Sequence, residues 1–181
     1  VYKRQINNAG ISGTLSTSLK TKEEVYDRVM KVNVKGAWNV TKAFFRNMKR
    51  QKQFSPVVGK IINIASIAGT ANGINPYLGI YSASKAALIA LTKLWALELG
   101  AANITVNAIS PGLFVTPIYK DSPELIHKLR EMRGVRLPID RLGEAREVAG
   151  VALFLASPAA DYITGENIII DGGMSISINK L

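Results

Sequence analysis

Apolar positions along this chain follow two rhythms, one helical and one of short β-branched runs, and the two alternate. From Thr21 the pattern is helical: Thr21 and Glu24 have the Thr-x-x-Glu spacing of a capping box, and a long helix is predicted over about Lys22 to Lys49, bent near Asn33 and Gly36. Lys60-Ile61-Ile62-Asn63-Ile64-Ala65-Ser66 reads as a buried parallel strand, and the turn-rich stretch from Gly69 to Pro76 as a loop. A second helix is predicted from about Ser82 to Leu99. Its apolar residues, among them Leu88, Leu91, Leu94, Trp95, Leu97 and Leu99, point nearly all round the axis, so it is buried on more than one side. Ile104 to Ile109 is another strand, ending at Ser110-Pro111-Gly112; a variable segment follows to about Pro138, with a short helix near Pro123 to Arg133. A helix from Glu144 to Ala156 and a strand from Asn167 to Ile170, closed by Asp171-Gly172-Gly173, complete the series. Strand and helix alternating at this spacing predict an α/β fold, a doubly wound parallel sheet with helices on both faces. There is no internal repeat and no linker, which points to a single domain or part of one.

The first residues break the pattern. Asn7-Asn8-Ala9-Gly10 reads as the end of a buried strand, yet only Ile6 remains of the apolar run expected before it. Val1-Tyr2-Lys3-Arg4-Gln5 matches the in-frame translation of a common transposase-type sequencing adapter. Residues 1–5 are therefore expected to be a non-native scar, and the strand near Asn7 to expose an edge where further strands should pair.

Composition narrows the chemistry. Without cysteine there is no disulfide, thiolate metal site or Cys nucleophile, and the single histidine, His127, makes no metal cluster and reads as a surface residue. The longest strongly apolar stretch, Val148 to Ala156, is far below the ~20 residues that span a bilayer. No secretion signal is legible, so a cytoplasmic location and no membrane partner are expected. The net charge of +10 concentrates in Lys42, Arg46, Lys49, Arg50 and Lys52. A solvated helix end, where cations suit the helix dipole, explains this cluster better than nucleic-acid binding, because no aromatic residues alternate with the charges as a base-stacking platform requires.

Tyr81-Ser82-Ala83-Ser84-Lys85 places a phenol and an ammonium four residues apart at a helix start, on one helix face. A free tyrosine, with a pKa near 10, is a poor acid or base at neutral pH. A cation ~4 Å away at an effective dielectric of ~20 stabilises the phenolate by at most about 4 kcal/mol. At ~1.4 kcal/mol per pH unit, that is a downward shift of at most roughly three units, which brings the phenol within reach of physiological pH, as a general acid/base requires. Alone, the pair is equally a surface tyrosine beside a solvated lysine.

The surrounding residues decide the weighing. Asn7-Asn8-Ala9-Gly10, Asn33 within Val-Asn-Val-Lys-Gly, Ser66 ending a strand, Tyr81-x-x-x-Lys85, Pro111-Gly112 after a strand, Thr116, and the closing Ile-Thr-Gly-Glu-Asn-Ile-Ile-Ile-Asp-Gly-Gly run stand in one order. Together they resemble the short-chain dehydrogenase/reductase family, and the resemblance covers everything after Gln5. It implies a Rossmann-like fold of which this chain is the C-terminal portion, without the first βαβ units and the Gly-rich phosphate turn. It also implies an NAD- or NADP-dependent oxidoreductase that interconverts a carbonyl and a secondary alcohol, of 3-oxoacyl-reductase or ketone/alcohol-dehydrogenase type. By the resemblance, Tyr81 transfers the proton, Lys85 lowers its pKa and holds the nicotinamide ribose, Ser66 holds the substrate oxygen, and Asn33 anchors a water in the proton relay. Asn8, Ala9 and Gly10 lie along the adenosine side of the cofactor; Pro111, Gly112, Phe114 and Thr116 lie near the carboxamide. Each has a plainer reading: Ser66 as a turn cap, Asn33 as a helix-bend residue, Thr116 as a turn former before Pro117.

The loop before Tyr81 is slightly longer than is usual in the family and holds Tyr77, which lacks a lysine four residues on and is a candidate for the substrate pocket. Phe114 to Pro138, with Ile118, Tyr119, Leu125, Leu129 and Met132, is expected to cover a small-molecule substrate. The missing phosphate turn predicts that the 181-residue chain by itself binds dinucleotide poorly and is inactive. A non-catalytic binding or regulatory protein of the same fold, or an inactive gene fragment, are the alternatives. The all-round apolar helix together with Trp38 predicts a homo-oligomer, a dimer or tetramer.

Overall fold

A computed structural model describes residues 4–50, 56–73, 75–115 and 138–176. Thr116, His127, Lys52, the predicted helix near Pro123 to Arg133 and the substrate-covering residues from Ile118 to Met132 lie outside these. The described chain runs β1 (Arg4–Asn7), α1 (Glu23–Met30), a π-helical turn (Lys31–Gly36), α2 (Ala37–Lys49), β2 (Gly59–Ile64), α3 (Gly79–Gly100), β3 (Ile104–Pro111), β4 (Phe114–Val115), β5 (Gly143–Glu144), α4 (Ala145–Ala156) and β6 (Asn167–Ile170).

Four strands form one parallel sheet in the order β1-β2-β3-β6. Ile6 stands opposite Ile62, Ile62 opposite Asn107, and Ala108 opposite Asn167. Successive residues of β2 face opposite sides: Ile61 packs with Leu88, Trp95 and Leu99 of α3 and Met48 of α2, whereas Ile62 packs with Ala152 and Leu155 of α4. This two-sided burial explains why β2 reads as a continuous apolar run and not as an alternation. Each such isoleucine contributes about 1.5–3 kcal/mol by leaving water. Helices on both faces and an all-parallel sheet make the doubly wound architecture that the residue pattern predicts.

Polar groups inside this core are tied to particular neighbours. Asn63 of β2 donates to Thr92 Oγ1 at 2.8 Å and accepts from Asn7 Nδ2 at 2.7 Å, joining α3, β2 and β1. Asn107 of β3 donates to Ile163 O at 2.7 Å and accepts from Glu166 N at 3.1 Å, fixing the loop before β6. Lys60, 1% exposed, points to the α4 side and meets Asp161 Oδ1 at 2.8 Å. Arg4 and Gln5 belong to β1, and Gln5 donates to Thr41 Oγ1 at 2.9 Å while its Oε1 is buried without a partner.

The bend predicted near Asn33 and Gly36 is the π turn itself: one wider turn joins α1 to α2 without ending the helix. The capping box predicted at Thr21 and Glu24 does not form. Lys22 is the N-cap of α1, while Thr21 Oγ1 turns back to Thr17 O and Ser16 Oγ, so the hydroxyl serves the preceding turn instead. A capping box forms at α4, between Glu144 and Glu147. Helix α3 begins at Gly79, two residues ahead of Tyr81. It buries Lys85, Leu88, Thr92, Trp95 and Leu99 along one stripe and leaves Leu94 and Leu97 on the surface, as Trp38 is on α2. No helix among the described residues is long and apolar enough to cross a membrane.

Candidate active site

In open parallel sheets, ligands bind in the crevice outside the carboxyl ends of the strands. Here the ends of β1, β2 and β3 open into a cleft of about 1040 Å3. Asn8 and Gly10 line it from the end of β1, Ser66 from the end of β2, Tyr81 and Lys85 from the first turns of α3, and Pro111, Gly112 and Phe114 from the end of β3. Residues spread over more than a hundred positions in the sequence therefore share one wall.

Lys85 is 4% exposed. Its Nζ donates to Ile64 O at 2.7 Å and lies 5.7 Å from the centroid of the Tyr81 ring. Burial disfavours the charged form and pushes the ammonium down to about 8 from the ordinary 10.5. Space for it comes from Gly10, where a Cβ would come within 3.1 Å of Nζ. Behind α3, Gly69 lets the loop after Ser66 lie against the helix backbone: a Cβ there would be 2.6 Å from Ala86 N and from Lys85 C. Both the position of the lysine and the seating of its helix thus depend on residues without side chains.

Ser66 caps the turn Ile67–Gly69 by accepting from Ala68 N at 3.2 Å, so its turn-capping role and its place on the cleft wall coexist. Asn33 lies behind the wall and not on it. Its Oδ1 accepts from Ile11 N at 2.8 Å; its Nδ2 donates to Ile11 O and to Ser84 Oγ, both at 2.9 Å. The π turn places this amide where it clamps both polar groups of one peptide residue in the loop after β1. Ala9 is exposed and outside the lining, and Tyr77 is 65% exposed and also outside it.

Residues that the motif reading passed over complete the cleft. Ile11, Ser12, Leu113 and Val115 extend the walls, while Ile6 and one face of α4, including Val148, Ala149 and Ala152, form an apolar floor. Alternating small and branched residues on α4 look like ordinary core in a sequence; only the sheet topology shows that this face borders the cleft. The lining combines hydroxyl, amide and ammonium groups (Asn8, Ser12, Ser66, Tyr81, Lys85) with apolar side chains. That donor set fits a ligand pairing a hydroxyl-rich sugar with a planar ring, as a nicotinamide nucleoside does. Lys85 has one hydrogen bond among the described residues, to Ile64 O, which leaves ammonium donors for such a sugar. No group of three His, Cys, Asp or Glu that could hold a metal ion occurs among the described residues.

Comparison with known proteins agrees with this architecture. Residues 5–175 match a family model described as enoyl-(acyl carrier protein) reductase. A 3-oxoacyl-(acyl-carrier-protein) reductase of Thermotoga maritima is 43% identical over 171 residues, which cover 94% of this chain and 65% of that protein. The structure of a short-chain type dehydrogenase/reductase from Mycobacterium ulcerans superposes with a TM-score of 0.84 at 32% identity, over 97% of this chain and 61% of that one. A gluconate 5-dehydrogenase from Burkholderia cenocepacia, solved with NADP and tartrate, gives 0.83 at 30% identity, over 97% and 66%. The chain thus spans about two thirds or less of the length of each of these relatives. Motif order, parallel sheet and family match converge, and the chain belongs to the short-chain dehydrogenase/reductase family.

Proposed function

We propose that this protein is an NAD- or NADP-dependent oxidoreductase that interconverts a carbonyl and a secondary alcohol, with Tyr81 as general acid/base. The observation that carries the reading is the Tyr81 ring beside the buried Lys85 ammonium, both lining the cleft. A buried cation is relieved by a negative charge nearby, and the phenolate formed when Tyr81 gives up its proton supplies one. Each member of the pair therefore stabilises the state of the other that proton transfer needs.

When bound, the dinucleotide supplies or accepts the hydride. The chain's own groups do the rest. Ser66 Oγ positions the substrate oxygen, Tyr81 Oη gives it a proton in reduction and takes one in oxidation, and Lys85 keeps the phenol poised between the two. Asn8 and Gly10 would hold the adenosine side of the cofactor, Lys85 the nicotinamide ribose, and Pro111, Gly112, Phe114 and Thr116 the carboxamide. Apolar side chains at Leu113, Phe114 and Val115 line the cleft and suit a substrate with an aliphatic body. Relatives described as 3-oxoacyl-(acyl-carrier-protein) reductases support the 3-oxoacyl-reductase type.

These residues form a single domain in this reading, and a homo-oligomer assembles through α3 and α2, supported by Leu97 at 81%, Leu94 at 51% and Trp38 at 40% exposure. A cytoplasmic location suits a reaction that draws on a shared nicotinamide pool.

Tyr81→Phe tests the proposal. In protein that turns over substrate, it should lower kcat by at least ~100-fold while dinucleotide affinity, followed by reduced-nicotinamide fluorescence, changes less than ~3-fold. Retained turnover would overturn the assignment. A non-catalytic binding protein would instead keep dinucleotide binding with no turnover in the unsubstituted form.

A further inference from the structure

We propose that Ser84 is a positioning residue that fixes Tyr81 and Lys85 relative to one another; this rests on the reading of that pair as the catalytic acid/base and its cation. Ser84 is 0% exposed, so it touches neither cleft nor solvent. Its hydroxyl donates to Tyr81 O at 2.7 Å and accepts from Asn33 Nδ2 at 2.9 Å. The first bond ties Ser84 to the main chain of Tyr81 in the first turn of α3. Through the second, Ser84 reaches a side chain fifty-one positions away in sequence, in the π turn.

What Asn33 does with the rest of its amide gives the second bond its consequence. Oδ1 and the other Nδ2 hydrogen hold the N–H and C=O of Ile11. Ile11 follows Gly10, and Gly10 is the residue against which the Lys85 ammonium rests: a Cβ at Gly10 would be 3.1 Å from Nζ and 3.5 Å from Asn33 Oδ1. Any rotation of the Ile11 peptide changes the floor under Nζ. Ser84 thus acts along two branches, one to the backbone of Tyr81 and one through Asn33, Ile11 and Gly10 to Lys85.

Donor and acceptor counting makes this arrangement directional. Ser84 has one hydrogen, and Tyr81 O takes it, so toward Asn33 the hydroxyl offers only a lone pair. Asn33 must then present its amide nitrogen to Ser84 and its oxygen to Ile11 N. Flipping the amide would set oxygen against oxygen at Ser84 and at Ile11 O, and N–H against N–H at Ile11. A buried network satisfied in this way has one low-energy arrangement, and loss of one member leaves the others unpaired.

A double-mutant cycle in catalytically active protein tests the inference. Ser84→Ala should lower kcat by at least ~10-fold, with a smaller change in the cofactor KM, and shift the limb of the pH–rate profile that belongs to Tyr81. In an Asn33→Ala background, the same substitution should cost at most ~3-fold more, because that branch is already broken. Ser84→Thr, which keeps the hydroxyl, should restore the pH profile. A Ser84→Ala protein with a lowered Tm but unchanged kcat and pH profile, or kcat losses that multiply in full in the double variant, would overturn the proposal. A second readout needs no turnover: hydrogen exchange at the Ile11 amide should speed up at least ~10-fold in Ser84→Ala. Unchanged protection there would sink the positioning role, whereas absence of turnover in the unsubstituted protein would count only against the oxidoreductase reading.

Discussion

Lys85→Met separates what the buried lysine does for the site from what it costs the fold. Burial pushes its ammonium from the ordinary 10.5 down to about 8. At about 1.4 kcal/mol per pH unit, the unfavourable contribution at neutral pH is roughly 3 kcal/mol. The sign follows from proton counting. Between pH 8 and 10.5 the unfolded chain keeps the proton that the folded chain has released, so stability rises with pH across that window; below it the whole cost is present. Methionine removes the charge but also the hydrogen bond to Ile64 O, worth about 1.5–3 kcal/mol with a charged donor. At pH 7 the variant should therefore lie between level with the unsubstituted protein and about 1.5 kcal/mol ahead, which is at most roughly 3–6 °C in Tm. By pH 10.5 the advantage should have reversed, a swing of about 3 kcal/mol between the two proteins. Urea melts of both at steps from pH 6 to 10.5 read this swing directly, because every other titrating group is common to the pair. A variant less stable by the same margin at all pH values would refute the claim that Lys85 is held charged against its surroundings. On the proposed assignment of Lys85, turnover should be lost at every pH.

Other consequences are open to direct measurement. Gly69→Ala would press a methyl group against the backbone of Ala86 and Lys85, and should lower the urea-derived stability by about 1–3 kcal/mol; an unchanged midpoint would mean the loop can lift off α3 freely. Hydrogen bonds from Arg141, and from the backbone N–H of Glu144, hold the Glu147 carboxyl down to about 2. Its stabilising effect on α4 is then full above pH 4.5 and is lost progressively as the pH falls from there through about 2, so a carbon-13 titration with a midpoint near 4.5 would contradict it. Leu97→Glu, at a site 81% exposed on α3, should lower the mass seen by sedimentation if α3 carries the oligomer contact; an unaltered mass would move that interface elsewhere.

Much of the frame is written in local pattern. The β-branched run at Gly59–Ile64 and the four-residue step from Tyr81 to Lys85 need no tertiary information, since strand burial and helical spacing act over a few residues. Thr21 shows the limit of such reading: its spacing to Glu24 suits a cap, but the hydroxyl had a better partner in the preceding turn. Glu144 illustrates the converse, an uncommon N-cap residue whose box with Glu147 is visible only once Arg141 is seen to brace it. Asn33 was legible as a bend and as a motif member, but its grip on Ile11 spans twenty-two positions and depends on the wider π turn. The apolar floor at α4 was illegible for a different reason. Val148 and Ala152 carry no polar atom to announce a cleft, and their place beside it is set by strand order alone.

That strand order also governs when the site can exist. Each neighbouring pair in the sheet joins segments about 45 to 60 residues apart in sequence. Loop closure over such spans precedes any reward from the contacts, so folding is expected to be slow and the sheet to come late. Tyr81 and Lys85 sit on a helix that can form early, but the Ile64 carbonyl and the Gly10 floor that place the ammonium arrive only with the paired strands. A partly folded chain would thus display a tyrosine and a lysine on one helix face with neither burial nor tuning. The depressed lysine titration should therefore appear late in folding, once the strand pairings around it are made.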